Sequence, residues 1–268
     1  MKPLSDFPLA ARRRVRHVLM DLDDTLTDDG TLSAAAFAAL EALHRAGFTA
    51  VPVTGRPAGW CDHMARMWPV DAVVGENGAF YFRYDRRARR MTRRFWRGEE
   101  ERRRDRERLQ ALAPAILAAV PGARVAADQA FREADLAIDW REDVPPLASE
   151  AVDRIVALFE GAGARAKVSS IHVNGWFGDF DKLAMARVLM GEAFGVDLDR
   201  KRASFVFVGD SPNDAPLFGH FPNSIGVANV QAFLDRLRPP PAFVTQAPGG
   251  RGFAEVAGVL IAAREGVR

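Results

Sequence analysis

Cysteine is almost missing from this chain of 268 residues. The single one, Cys61, rules out an internal disulfide framework and fits a reducing, cytoplasmic setting. It sits in Gly59-Trp60-Cys61-Asp62 beside His63, which reads as a half-buried helical turn and not as a nucleophile. No run of about 18 apolar residues occurs, so no membrane span is expected. Residues 1–16 contain Pro3 and Pro8 and reach Arg12-Arg13-Arg14 with no apolar core before a cleavage site. They read as a loose basic lead-in, not as a secretory signal. Net charge is scarce too, since 37 Lys and Arg against 35 Asp and Glu leave only +2, which points to no particular class of partner. His17, His44, His63 and His220 lack the spacing of metal ligands.

What the chain does have is carboxylates at the ends of apolar runs. Val18-Leu19-Met20 reads as a buried strand and leads into Asp21-Leu22-Asp23-Asp24-Thr25-Leu26. Phe205-Val206-Phe207-Val208 leads into Gly209-Asp210-Ser211-Pro212-Asn213-Asp214. Between them, a strand over residues 48–53 ends in Thr54-Gly55-Arg56-Pro57. Clustered carboxylates repel, and burying them unpaired costs several kcal/mol unless a cation compensates. In a parallel sheet the carboxyl ends share one edge, where ligands bind. That rule brings Asp21, Asp23, Thr54, Asp210 and Asp214 together, although they lie far apart in sequence.

The periodicity supports such a sheet. Helices are expected over 33–46, 58–67, 182–194, 213–219 and 252–263, alternating with strands over 15–20, 48–53, 71–74, 204–208 and 224–228. Ser33 is a candidate helix cap and Gly47 a stop. The character changes at Asp85. An arginine-rich run to Arg108 precedes helices over 109–119 and 147–160 and strands over 134–140 and 165–173. The expected fold is therefore α/β: a doubly wound, Rossmann-like parallel-sheet core (1–84 and 180–268) interrupted by an α+β cap (85–179). Glutamates at helical spacing within the arginine run predict a solvated, ion-paired helix face. Nucleic acid is not expected as a partner.

The motifs DLDDTL, VTGRP and GDSPND resemble the signature set of the haloacid dehalogenase-like phosphatases. The position of the insertion and the sequence GENGAFYF resemble the subgroup with a class II, subtype B cap, which includes sucrose-, trehalose- and mannosylglycerate-forming phosphatases. The resemblance implies an Mg²⁺-dependent hydrolase of a small phosphorylated metabolite, with a phosphosugar or sugar-phosphate conjugate as the substrate class. It implies Asp21 as nucleophile, forming an aspartyl-phosphate, and Asp23 as general acid and base. Thr54, Gly55 and Lys182 would bind the phosphate. Asp21, the Asp23 backbone carbonyl, Asp210 and Asp214 would hold Mg²⁺, with Asp214 acting directly or through water. Arg56, Asn77, His172, Asn174, Trp176 and Asn213 are candidates for contacting or orienting substrate. Lys182 is followed by Leu183 where the subgroup commonly has Gly, and Lys167 is its rival. Asp24, where Gly is common, reads as a turn residue. Two alternatives stand beside hydrolysis: a phosphomutase of phosphomannomutase type, which shares the acidic pair, and a non-catalytic metabolite- or nucleic-acid-binding protein.

Overall fold

The computed structural model describes residues 1–265; the last three residues of the expected core segment lie outside the described residues. Its central sheet is parallel. The strand order is Lys2–Pro3, Phe243–Val244, Ser224–Gly226, Phe205–Gly209, His17–Met20 and Thr49–Pro52. In register, Met20 lies opposite Val208 on one side and Pro52 on the other. Asp21, Asp210 and Thr54 therefore leave the sheet at one edge.

Alternation along the strands fills two layers. Val18, Met20, Ala50, Val206 and Val208 enter one apolar cluster with Leu40, Val256 and Leu260. Leu19, Val51, Phe205 and Phe207 enter the other with Met185, Leu189 and Leu217. Apolar residues on both faces explain why these strands read as unbroken hydrophobic runs. The helix Ala34–Arg45 starts where Ser33 Oγ accepts the Ala36 N–H at 3.2 Å. The helix Lys182–Phe194 is capped by Asp181 and stopped by Gly195 at φ 64°. The expected doubly wound α/β architecture is the one observed.

The inserted segment folds around a third cluster that includes Leu109, Ile116, Ile138, Ile155, Phe159 and Val173. Its antiparallel sheet runs Arg165–Val168, His172–Trp176, Asp135–Asp139, Arg124–Val125, with helices Glu99–Ala119 and Ser149–Gly161. An antiparallel sheet joins Val73–Gly75, Phe80–Asp85 and Arg90–Phe95, meeting the core at a parallel bridge between Val53 and Val74, so pairing continues past residue 85.

Three expectations need correction. The strand expected over 165–173 is a hairpin, because Ser169 turns the chain: its N–H donates to the His172 carbonyl and its hydroxyl accepts the His172 N–H. The helix expected over 109–119 begins at Glu99. Three glutamates occupy its first turn, and Arg103 pairs with Glu100 and Glu107. Acidic residues at a helix start and pairs one turn apart favour that extension. The lead-in is not loose. Lys2–Pro3 joins the central sheet, Leu9–Arg14 is helical, and Phe7 packs on Phe243 with ring centroids 4.9 Å apart. Among the described residues, no helix is long and apolar enough to cross a membrane.

Candidate active site

At the carboxyl edge of the central sheet, Asp21, Asp210 and Asp214 are all buried, each with a carboxylate oxygen within 4.8 Å of the others. Lys182, also buried, lies 2.8 Å from both Asp21 Oδ2 and Asp214 Oδ1. Gly78 sets where this lysine starts its helix. At φ +105° it packs so closely on Asp181 that a Cβ would fall 2.1 Å from the Asp181 carbonyl oxygen. The rival Lys167 sits on the edge strand of the inserted sheet.

The remaining carboxylate oxygens differ in their commitments. Asp214 Oδ2 accepts the N–H groups of Asp210 (3.1 Å) and Ser211 (3.3 Å), closing the tight turn after the strand. Among the described residues, Asp21 Oδ1 accepts the Leu22 N–H alone, at 2.8 Å. Asp210 accepts the Thr25 hydroxyl at 3.0 Å and, more weakly, the Asn229 amide at 3.4 Å. Asn229 also donates to the Asp24 carbonyl at 2.9 Å and so ties the two acidic loops together.

Three buried carboxylates and one ammonium leave this set short of positive charge. Burial, with repulsion from Asp214, pushes Asp21 up to about 8 even though Lys182 opposes the shift. Burial, then Asp214 and Asp21, push Asp210 well above the usual carboxylate range. Burial alone would lower Lys182, but Asp21 and Asp214 outweigh it and raise it. Hard oxygen donors with uncompensated negative charge suit a hard divalent cation. Lys182 sits on Asp21 Oδ2, so Asp21 Oδ1 and Asp210 remain as donors on the side it does not occupy.

Asp23 belongs to a second network. Arg56 Nε donates to both of its carboxylate oxygens, at 2.9 and 3.0 Å. The same buried guanidinium reaches Glu142 at 2.6 Å and Asp128 at 3.5 Å in the inserted segment, and stacks on Trp60 at 4.4 Å. Glu142 Oε2 lies 2.8 Å from His172 Nε2. Burial opposes ionisation of Glu142, but His172 and Arg56 outweigh that and lower it to about 2. Asn174 donates to Asp135 Oδ2 at 2.8 Å. Asp135 in turn pairs with Arg132, which also reaches the Gly55 carbonyl at 2.8 Å. Thr54 is fully buried, and its hydroxyl accepts the Arg56 N–H at 3.0 Å.

Asp21, Asp23, Gly55, Arg56, His172, Asn174 and Asn213 surround one cavity of about 10 Å³, room for roughly one water. Asn77, Trp176, Lys182 and Asn213 line a neighbouring cavity of about 320 Å³. Every predicted site residue thus falls in one contiguous region, but not all around one cavity.

Sequence reasoning missed Glu142, Asp128, Arg132, Asp135, Asn229 and Glu76. Glu76 is fully buried, and its carboxylate accepts N–H groups from Ala58, Glu133, Ala134 and Asp135. A glutamate between Gly75 and the Asn77-Gly78 turn, in an otherwise apolar stretch, was the available signal.

Residues 18–92 match the family model described as haloacid dehalogenase-like hydrolase. The match spans the motifs at Asp21 and Thr54 and stops before Lys182 and Asp210. No curated protein matches the chain by sequence. Among solved structures, the chain resembles a Thermoplasma acidophilum protein at 20% identity and TM-score 0.67, over 92% of this chain and 98% of that one. It resembles the sucrose-phosphatase from Synechocystis at 16% identity and TM-score 0.62, over 92% and 98%. It also resembles the C-terminal domain of trehalose-6-phosphate phosphatase from C. albicans at 13% identity and TM-score 0.66, over 98% of both. At these identities the likeness establishes the fold alone: a parallel-sheet α/β core with an inserted α+β unit.

Proposed function

We propose that the protein is an Mg²⁺-dependent phosphatase that hydrolyses a small phosphorylated metabolite through an aspartyl-phosphate at Asp21. The observation that carries this reading is the buried cluster of Asp21, Asp210 and Asp214 with Lys182 at 2.8 Å from two of them. A phosphate dianion repels an attacking carboxylate, so a nucleophilic aspartate needs nearby positive charge. The segment match and the fold support the same reading. A phosphosugar or sugar-phosphate conjugate is the favoured substrate class, because the sucrose-phosphatase and trehalose-6-phosphate phosphatase structures share this architecture.

In this mechanism Asp21 attacks phosphorus while the bond to the leaving oxygen breaks, and Asp23 supplies the proton that oxygen takes up. Asp23 then accepts a proton from the water that attacks the aspartyl-phosphate, which frees phosphate and restores Asp21. Arg56 fixes the Asp23 carboxylate throughout. Lys182 neutralises charge on Asp21 and on the transferring group. Bound Mg²⁺ would be held by Asp21, Asp210 and the Asp23 carbonyl, and would supply charge stabilisation for the phosphoryl oxygens. Asp214 positions Lys182 and the Asp210 turn, with any contact to the ion passing through water.

The α+β unit acts as the cap. The ion pairs from Arg56 to Glu142 and Asp128, and the hydrogen bond that Arg132 donates to the Gly55 carbonyl, close it over the site and exclude water. A cavity of about 10 Å³ admits no sugar, so turnover requires those contacts to open. The test is release of phosphate from p-nitrophenyl phosphate and from a panel of sugar phosphates. Activity should need Mg²⁺ and disappear in Asp21→Asn. Isomerisation of a hexose phosphate without net phosphate release would favour a mutase instead.

A further inference from the structure

The cavity beside Lys182 has no role in the mechanism above, although its walls are poorly satisfied. Asn77 is 2% exposed, yet neither its amide nitrogen nor its amide oxygen has a hydrogen-bond partner. Trp176 is 1% exposed, and its indole N–H is likewise unpartnered. Unmatched buried polar atoms are costly to keep, and a site built to meet a ligand retains them. Both residues line the same cavity of about 320 Å³, and Asn213 lines it as well as the small cavity at Asp21 and Asp23. The two spaces therefore share a wall, and a group held in one lies next to chemistry in the other.

The register of the inserted sheet adds a charge. Lys167 is the direct partner of Asn174, and Arg165 of Trp176. Residues directly opposite in an antiparallel pair project to the same face. Asn174 and Trp176 line the two cavities, so that face borders them, with Arg165 and Lys167 themselves exposed on its edge strand. Arg165 is committed to Asp179. Lys167 has no ion-pair or side-chain hydrogen-bond partner among the described residues, and it lines the cavity. Two acids also line it. Asp181 is occupied by the Ala184 N–H at 2.7 Å, and Glu160 is exposed at the rim, where it could accept from hydroxyl groups.

We infer that this cavity is a subsite for the leaving group, and that the leaving group carries an anion of its own besides the scissile phosphate. Lys167 meets that anion, and the Asn77 amide and Trp176 N–H supply hydrogen bonds beside it. A carboxylate and a second phosphate share the required chemistry. Within the phosphosugar and sugar-phosphate-conjugate class, the substrate is then one whose leaving group is a sugar acid or bears a second phosphate. The inference rests on the phosphatase reading for its place in catalysis, but the binding site can be tested without it.

The experiment compares glycerate, glycerol and glycerol phosphate as inhibitors of p-nitrophenyl phosphate hydrolysis, and measures their binding by titration calorimetry. Loss of a charge-assisted hydrogen bond corresponds to about a tenfold change or more. Glycerate or glycerol phosphate should bind at least about tenfold more tightly than glycerol. Glycerol phosphate also meets the catalytic phosphate site, so the charged compound whose advantage over glycerol is lost in Lys167→Gln distinguishes carboxylate from phosphate. Lys167→Gln should collapse that preference toward unity, and Lys167→Arg should retain most of it. Equal binding of charged and neutral compounds, or an undiminished preference in Lys167→Gln, would overturn the subsite. If p-nitrophenyl phosphate is not hydrolysed at all, the phosphatase reading fails, and the calorimetric comparison still decides the subsite.

Discussion

Glu76 offers a test of how the cap is held on the core. Its carboxylate accepts from Ala58 N at 3.0 Å, Glu133 N at 2.9 Å, Ala134 N at 2.6 Å and Asp135 N at 3.3 Å. Three of these donors belong to the inserted segment, next to the strand Asp135–Asp139. Replacing Glu76 by Ala leaves the three shorter bonds unmade in a buried place. At about 1 kcal/mol for each stranded donor, the low end for such groups, the loss is roughly 3 kcal/mol. Relief of repulsion from Asp135 and entry of water would trim that figure. A domain of this size loses about 2–4 °C of Tm per kcal/mol, so Glu76→Ala should melt roughly 6–12 °C lower. Glu76→Gln keeps one acceptor oxygen and should fall between Ala and the parent. The same variants should expose amides of residues 133–135 to faster hydrogen exchange. If Glu76→Ala melts within about 1 °C of the parent, with unchanged exchange at those amides, Glu76 does not fasten the cap.

Other outcomes follow from the acidic cluster. Burial and repulsion from Asp214 push Asp21 up to about 8 from its ordinary 3.8, so in the metal-free protein the folded state holds a proton that the unfolded chain has released. Stability should therefore fall as pH rises through that window, and melting curves across it measure the slope. Mg²⁺ competes with that proton, so its stabilising effect should grow with pH; at a hundred times its dissociation constant it should reach roughly 2.7 kcal/mol. A Tm indifferent to Mg²⁺ at the alkaline end would count against the ion site. Lys182→Ala strips the cation from Asp21 and Asp214. It should cost about 3–5 kcal/mol of stability, read by denaturant titration, and about 10²–10³ in kcat. His172→Ala breaks the contact with Glu142 and should change the ratio of rates among sugar phosphates; an unaltered profile would remove His172 from substrate recognition.

The sheet edge was legible because parallel topology is restrictive. Once Val18-Leu19-Met20 and Phe205-Val206-Phe207-Val208 are read as buried strands, Asp21 and Asp210 must emerge side by side. Thr54 follows from the same rule. Lys182 was legible through its helix start, and its distance to Asp21 settles its rivalry with Lys167 for the place beside that carboxylate. The cap contacts were not legible. Arg56 meets Glu142 across 86 positions, and Glu76 meets Ala134 across 58. No periodicity encodes such pairings, which depend on how two separately folded layers dock. The turn at Ser169 was hidden because residues 165–173 carry strand-forming residues on both sides of it, and the reversal is fixed by the paired bonds between Ser169 and the His172 backbone.

The central claim is that Asp21 captures the phosphoryl group. Enzyme quenched in acid during turnover with Mg²⁺, then digested and analysed by mass spectrometry, should carry phosphate on the peptide containing Asp21, and chelation should abolish the label. Phosphate release with no label on Asp21, accompanied by a label on another residue or by full activity in Asp21→Asn, would contradict the account.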